Sequence, residues 1–152
     1  MIEHFQMTLP AYGRGFHIIT DQILRELKHM PEQGLMTVYI KHTSAGLTIN
    51  ENADPTVLMD FESYFNHIVQ ERMPFIKHDI EGDDDMPAHI KSSLVGSSVT
   101  IPIINSRLSL GTWQGIYLCE FRDRPHRRSV IIQPVMFHSW ALLLMLKWTF
   151  LQ

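Results

Sequence analysis

The twelve-residue segment HDIEGDDDMPAH, residues 78–89, carries two histidines and five acidic side chains. Neutral imidazoles and carboxylates are side chains that bind divalent metal ions, and a catalytic zinc site uses three of them with one position left open. The spacing of His78 and His89 matches no short zinc motif. The residue types therefore predict metal chemistry, while a solvated acidic loop is the plainer structural interpretation.

Two other segments concentrate polar side chains. The segment KHTSAGLTINENADP, residues 41–55, includes His42, Ser44, Asn50 and Glu51. The segment RLSLGTWQGIYLCEFRDRPHRR, residues 107–128, includes Gln114, Glu120, Arg127 and Arg128. Carboxylates can orient metal ligands or act as bases, and guanidinium groups match the geometry of phosphate. Each segment can equally be a strand end or a mixed-charge turn.

The elements that must position these residues are mostly strands. Alternating or β-rich patterns predict strands in EHFQMTL, LMTVYIKHT, SVTIPII, GIYLCEF and RSVIIQPV, with GLTINEN as a hairpin partner or continuation of the second. Helical spacing predicts helices in DQILRELKHM, after Asp54-Pro55 and, briefly, in HIKSSL. Residues 71–89 are predicted to be a long polar loop, a type that is often functional. The sequence thus predicts an α+β domain, a β-sandwich with two or three helices packed on it.

Bulk composition narrows the class of protein. The 152 residues suffice for one domain, and a formal net charge of −3 gives no general attraction to nucleic acid or to an anionic membrane. The one cysteine, Cys119, cannot form an internal disulfide, and its alternating apolar neighbours predict a buried structural thiol. With no apolar run long enough to cross a bilayer and no signal peptide, we expect a cytoplasmic protein.

Three segments taken together resemble a known family. KHTSAGLTINENADP, HDIEGDDDMPAHIKSSLVGSSVTIPI and RLSLGTWQGIYLCEFRDRPHRR closely resemble the shared blocks of the YjbQ-like family, an uncharacterised protein family. The resemblance covers roughly residues 5 to 133. It implies a compact jelly-roll-like sandwich with added helices, a homotrimer or higher assembly, and a metal or anion near the shared histidines. For some members it also implies a weak thiamine-phosphate synthase activity.

Carried over residue by residue, the resemblance implies a divalent metal, with zinc the expected ion, held by His42, His78 and His89. Glu120 and Asp85 are the expected catalytic groups, as a general base or as orienters of the ligands. A phosphorylated or anionic small molecule would be bound by the remaining polar positions, Ser44, Asn50, Glu51, Gln114, Arg127 and Arg128.

Three functions remain open from the sequence. The first is an enzyme with a metal-supported site, of the thiamine-phosphate synthase type, although the chain has no P-loop and no DDxxD motif unless GDDDM serves. The second is a zinc-dependent hydrolase. The third is a non-catalytic protein that binds an anionic metabolite. All three are expected without nucleic acid or membrane partners.

The C-terminal end departs from the family pattern. We expect the domain to comprise residues 1–133 and residues 134–152 to form an atypical apolar tail. The tail is either a docking helix at a subunit interface or the product of a shifted reading frame or a gene-end error. Because the family core is complete by about Gln133, we expect the tail to be dispensable for the fold and for the site.

Overall fold

The computed structural model describes residues 4–27 and 29–137. The helices in this part of the chain are α1 (Thr20–Glu26), α2 (Pro55–Ile68) and α3 (Asp85–Val95). The strands are β1 (Phe5–Thr8), β2 (Gly15–Ile18), β3 (Gln33–Ile40), β4 (Ala45–Glu51), β5 (Ser98–Ile104), β6 (Arg107–Leu108), β7 (Gln114–Glu120) and β8 (Ser129–Met136). The predicted α+β class is confirmed.

The strands form two antiparallel sheets, in the orders β1-β8-β3-β5-β6 and β2-β7-β4. One face of each sheet contributes alternate apolar residues to a shared core, which explains why the strand patterns have a period of two. The larger sheet supplies Met36 from β3, Ile101 from β5 and Ile132 from β8, all of them buried. The smaller sheet supplies Leu47 from β4 and Leu118 from β7. The two sheets therefore pack face to face, as the predicted sandwich requires.

Strand β7 is buried on both of its faces. Ile116 and Leu118 face the core between the sheets, whereas Tyr117 and Cys119 belong to a second apolar cluster beneath the helices. Helix α2 adds aromatic side chains to that cluster. The ring of Phe16 on β2 stacks on the ring of Phe61 on α2, with the ring centroids 5.2 Å apart. Cys119 is fully buried and burial raises the pKa of its thiol, so the predicted structural thiol is confirmed.

One strand pairs differently from the prediction. β4 is neither the hairpin partner nor a continuation of β3, because it joins β7 in the other sheet with Ala45 opposite Glu120. The short connection at residues 41–44 carries the chain from one layer of the sandwich to the other. Local patterning identifies a strand but not its partner, so the sequence could not distinguish these arrangements.

Helix α3 begins earlier than predicted. It starts at Asp85, so residues 85–88, which were predicted to end the loop, form the first turn of the helix, and His89 lies one turn into it rather than at its start. Pro87 lies in the first turn of the helix, where proline is tolerated because the amide there has no intrahelical partner. Gly82, at a φ of +117°, precedes the helix in a backbone conformation that favours glycine.

Helix α2 begins as the sequence predicts. The Asp54 side chain accepts a hydrogen bond of 2.8 Å from the Thr56 amide, and Pro55 occupies the first helical position.

Lys91 on α3 is buried and donates a 2.6 Å hydrogen bond to Asn66 on α2, and burial lowers the pKa of Lys91 to about 8. The Lys91–Asn66 hydrogen bond therefore ties helix α3 to helix α2.

Strand β8 extends to Met136, which pairs with Gly34 of β3. Residues 134–136, which the sequence assigned to the tail, therefore belong to a strand of the larger sheet. Phe137 follows the strand, and residues 138–152 of the predicted tail lie outside the described residues. No helix in the described part of the chain is both long and apolar enough to cross a membrane.

Candidate metal centre

The pairing of the strands brings the three polar segments to one end of the sandwich. β4 starts opposite the end of β7, and the end of β3 lies opposite the start of β8. The connection at residues 41–44 therefore lies beside Glu120 and Arg128. Helix α3 packs on β4 and brings Asp85 and His89 to the same end.

Three side chains there form a group with the geometry of a metal site. His78, Asp85 and His89 each offer one ligand atom, and these atoms lie within 4.8 Å of one another. The Asp85 Oδ2 atom is 2.9 Å from His78 Nε2 and 3.5 Å from His89 Nε2. Asp85 is buried, whereas His78 is exposed, so the group opens to the surface on the histidine side. We call these three residues the metal group.

The hydrogen bonding of His89 leaves its Nε2 atom free to bind a metal. His89 Nδ1 lies 3.0 Å from the carbonyl oxygen of Thr43. Because a carbonyl only accepts, Nδ1 carries the hydrogen, and in the neutral ring the lone pair is then on Nε2. A histidine ligand whose second nitrogen donates to a carbonyl is the usual arrangement around a bound metal.

The Asp85 carboxylate is suited to hold a cation. Its Oδ1 atom accepts a hydrogen bond from Arg122 Nη1, which fixes the orientation of the group. Its Oδ2 atom is buried and has no hydrogen-bond partner among the described residues, although His78 Nε2 is near. A buried carboxylate oxygen without a partner is costly, and a divalent cation between it and two imidazole nitrogens would remove that cost.

Arg122 holds the acidic segment in place. Besides Asp85, it donates from Nε to Asp84 Oδ2 at 2.8 Å and from Nη2 to the Glu81 carbonyl at 2.9 Å. Burial alone would raise the pKa of Asp84, but hydrogen bonds from the Asp123 amide and from Arg122 hold that pKa below its ordinary value. Sequence reasoning gave Arg122 no role, because only the fold brings it beside residues 81–85.

Glu120 and Arg128 form a second, buried group with Ser44. Arg128 Nε and Nη2 each donate to a Glu120 carboxylate oxygen at 2.6 Å, and Nη2 also donates to Ser44 Oγ at 3.1 Å. The backbone amides of residues 121 and 122 donate to Glu120 Oε1 at 3.0 Å. Both charged residues are almost fully buried. We call Glu120, Arg128 and Ser44 the buried ion-pair group.

His42 lies beside the buried ion-pair group and not in the metal group. Its Nε2 atom accepts a 2.8 Å hydrogen bond from the Ser129 amide, and its Nδ1 atom is 3.5 Å from Arg128 Nη1. Burial and, next, the Arg128 charge lower the pKa of His42, so the ring is neutral near pH 7. Among the described residues, Asp85 takes the position in the ligand set that the sequence assigned to His42.

The predicted substrate-binding residues do not all lie together. Glu51 pairs with Gln114 at one end of β4, whereas Ala45 pairs with Glu120 at the other. Six strand intervals of about 3.3 Å separate these ends by roughly 20 Å. The predicted positions at residues 50, 51 and 114 therefore lie far from the metal group within one chain. Arg127 directly precedes Arg128 of the buried ion-pair group in sequence. The side chain of Arg127 is exposed, whereas that of Arg128 is buried.

Fold and site together define a class of protein, a two-sheet α+β domain with a histidine- and aspartate-containing group at one end. The sequence model described as "UPF0047 protein YjbQ-like" matches residues 5–136. The chain belongs to this YjbQ-like family. Among curated relatives, it is 48% identical over 127 residues to the UPF0047 protein YjbQ of Escherichia coli O157:H7, a match that covers 82% of this chain and 91% of the relative. It is 46% identical over 127 residues to the UPF0047 protein sll1880 of Synechocystis, with 83% and 86% covered.

Solved structures show the same fold. The conserved hypothetical protein TT1486 of Thermus thermophilus superimposes with a TM-score of 0.76 at 33% identity, covering 86% of this chain and 99% of that one. The hypothetical protein APE1520 of Aeropyrum pernix K1 gives a TM-score of 0.77 at 29% identity, covering 89% and 99%. The resemblance inferred from the three polar segments is thereby confirmed.

Proposed function

We propose that the protein is a divalent-metal-dependent enzyme that acts on a phosphorylated or anionic small molecule, with zinc as the ion. The observation that carries the proposal is the metal group, in which the buried Asp85 Oδ2 makes no well-directed hydrogen bond among the described residues and faces the Nε2 atoms of His78 and His89. Two imidazoles and one carboxylate are a ligand set that catalytic zinc sites use.

The protein's own residues would hold and orient the ion. Asp85 would supply the anionic ligand, fixed by Arg122, and His89 would supply a neutral nitrogen, fixed by Thr43. A zinc ion with an open position lowers the pKa of bound water and polarises phosphoryl oxygens. His78, the exposed ligand, would lie on the side from which a substrate enters.

Of the reaction types that the sequence left open, hydrolysis fits this group best. The three aspartates of GDDDM are already engaged, Asp83 with Arg72 at 2.6 Å, Asp84 with Arg122 at 2.8 Å and Asp85 within the metal group. They are therefore not arranged as a free carboxylate cluster for magnesium diphosphate. A thiamine-phosphate synthase reaction, which must handle a diphosphate, is the second candidate, and it rests on the family resemblance.

The test begins with metal content. Full-length protein purified without a histidine tag should contain about one zinc per chain, measured by mass spectrometry of the metals. The loaded protein is then assayed with phosphate monoesters for released phosphate, and with the hydroxymethylpyrimidine diphosphate and thiazole phosphate pair for released pyrophosphate. A chain that takes up no divalent metal would remove the proposal, and pyrophosphate release accompanied by the joined thiamine phosphate product would replace hydrolysis by transfer.

We also propose that the chain forms a homotrimer. The larger sheet carries the exposed side chains of Tyr39 and Ile104, and the main contacts of the helices are with the smaller sheet. Such a face is suited to contact with a second copy, and the subunit number comes from the family resemblance. Multi-angle light scattering at micromolar concentration should give three times the chain mass, and a stable monomer would reject the assembly.

A further inference from the structure

We infer that a cavity beside the metal group binds the hydroxyl- or amino-bearing part of the substrate, an inference that rests on the proposed function. The cavity has a volume of about 580 Å³ and is lined by Thr43, His89, Ser92, Ser93, Gly96 and Ser97. His89 belongs to both the cavity and the metal group, and Thr43 holds the His89 ring. The cavity and the metal group therefore share one side chain, and a ligand in the cavity would contact the ring that also faces the Asp85 carboxylate.

Two of the cavity hydroxyls, those of Ser92 and Ser93, present acceptors. Ser92 Oγ donates its hydrogen to the Ala45 carbonyl at 2.7 Å, and Ser93 Oγ donates to the His89 carbonyl at 2.9 Å. Each hydroxyl has one hydrogen and two lone pairs, so only the lone pairs remain available to a ligand. A ligand that carries O–H or N–H donors satisfies them.

The charge of the cavity points to the same class of ligand. None of the residues that line it is a lysine or an arginine. A phosphate or carboxylate placed there would meet the lone pairs of Ser92 and Ser93 without a lysine or arginine to balance its charge. The anionic part of the substrate therefore belongs at the metal group, and the neutral, donor-bearing part belongs in the cavity. A polyol phosphate or an amino-alcohol phosphate has this arrangement.

A second observation separates this cavity from a surface depression that happens to be lined by small residues. The Asp85 Oδ2 atom, buried and without a hydrogen-bond partner among the described residues, lies 3.5 Å from Nε2 of the cavity residue His89. An unsatisfied buried acceptor and a hydroxyl-lined space meet at one side chain. This is the arrangement of a site with two parts, one for the ion and one for the organic group.

Two phosphonates test the inference by calorimetric titration of zinc-loaded full-length protein. Propylphosphonate and 2,3-dihydroxypropylphosphonate have the same carbon chain and anionic group, differ by two hydroxyls, and contain a C–P bond that a phosphate-ester hydrolase does not cleave. We expect the dihydroxy compound to bind about tenfold more tightly, as one or two added hydrogen bonds would give. Equal binding, or a preference for propylphosphonate, would overturn the inference.

The Ser93→Ala variant locates the effect. It should reduce the preference for the dihydroxy compound about threefold to fivefold, by removing one acceptor. Ser63→Ala is the matched control, because Ser63 on α2 makes the same kind of bond, 2.9 Å to the Met59 carbonyl, away from the cavity. A Ser93→Ala variant with an unchanged preference would contradict the inference.

Failure of the inference can be told from failure of the proposed function. If wild-type protein binds both phosphonates equally and Asp85→Asn binds neither, the metal group stands and the cavity assignment falls. If wild-type protein and Asp85→Asn bind both compounds equally weakly, the metal group has no role in binding. In that case the inference and the proposed function fall together.

Discussion

The metal group and the buried ion-pair group lie at the same end of the sandwich and each contains a buried carboxylate, yet they differ in what remains unsatisfied. Glu120 receives hydrogen bonds from Arg128 and from two backbone amides, and Arg128 also reaches Ser44. In the metal group, by contrast, Asp85 Oδ2 has no partner among the described residues and His78 is exposed. The first group has all of its charged atoms engaged, whereas the second leaves one buried carboxylate oxygen without a well-directed hydrogen bond, as the proposed metal site requires.

This difference assigns the two predicted catalytic carboxylates to different tasks. A carboxylate whose oxygens are both engaged by a buried guanidinium is poorly placed to take up a proton from a substrate, so Glu120 supports the connection between layers. Asp85, by contrast, has one carboxylate oxygen, Oδ2, that is not engaged by a guanidinium group. Two residues link the groups. The carbonyl of Thr43, which precedes Ser44, accepts from His89, and Arg122 donates to Glu120 from its amide and to Asp85 from its side chain.

The largest expected effect is in the buried ion-pair group. Glu120→Gln keeps the shape of the side chain but leaves the Arg128 charge buried without a counter-charge, which should lower the free energy of unfolding by about 3–5 kcal/mol. Urea denaturation measures the loss. Arg127→Met, at an exposed neighbour, is the control and should change stability by less than about 0.5 kcal/mol. A stable Glu120→Gln protein with lost activity would instead make Glu120 the general base.

The next effect is in the metal group. Asp85→Asn removes the anionic ligand, and we expect zinc affinity to fall more than about 100-fold, a larger loss than that expected for a residue that only orients a ligand. Competition with a chromophoric chelator measures it. His42→Gln is the comparison, and it should keep zinc affinity because His42 lies outside the metal group. Loss of zinc in His42→Gln would restore the ligand set predicted from the sequence.

Arg122 should give a smaller effect of the same kind. Lysine cannot reproduce the fork that reaches Asp84 and Asp85 together, so Arg122→Lys should lower zinc affinity by about 10- to 100-fold. The exposed Arg124 offers a matched Arg→Lys control with unchanged affinity. Equal affinities in both variants would mean that Asp85 is positioned by the backbone alone.

The smallest effect concerns pH. The folded pKa of His42 lies below its ordinary value, so the unfolded chain binds more protons as the pH falls below about 6.5, and stability falls with it. The loss is complete once the pH is below the folded pKa. His42→Gln should flatten this part of the stability profile in urea titrations between about pH 7 and 5. An identical slope in the variant would show that His42 does not contribute.

The sequence predicted which segments meet but not which atoms. Helical and alternating patterns placed most elements, and the three polar segments do converge at one end of the sandwich. Two members of the metal group, His78 and His89, were predicted as ligands, but Asp85 was predicted as a catalytic or orienting residue, because the loop assigned to residues 71–89 hid the four-residue spacing of Asp85 and His89 on one helix. The four-residue spacing of Asp85 and His89 could have revealed that they act together, because residues four apart on a helix share a face.

The separation of Gln114 and Glu51 from the site had a different cause. Both are polar residues near the ends of strands, and a single sequence does not reveal which end of a strand lies near a site. Only the register of β4 on β7 shows that Glu51 and Glu120 lie at opposite ends of the pair. Long-range pairing is a property of the folded sheet that local patterning cannot supply.

Strand β7, buried on both faces, also determines how the molecule can open. Release of helix α2 would bare only the Tyr117 and Cys119 side of the strand, while the core between the sheets would still cover the Ile116 and Leu118 side. The amides of β7 should therefore exchange with deuterium only through global unfolding, and those of α2 through smaller openings. Since Glu120 ends this strand, the scaffold of the site belongs to the slowest-exchanging unit of the protein and persists while its helical cover fluctuates.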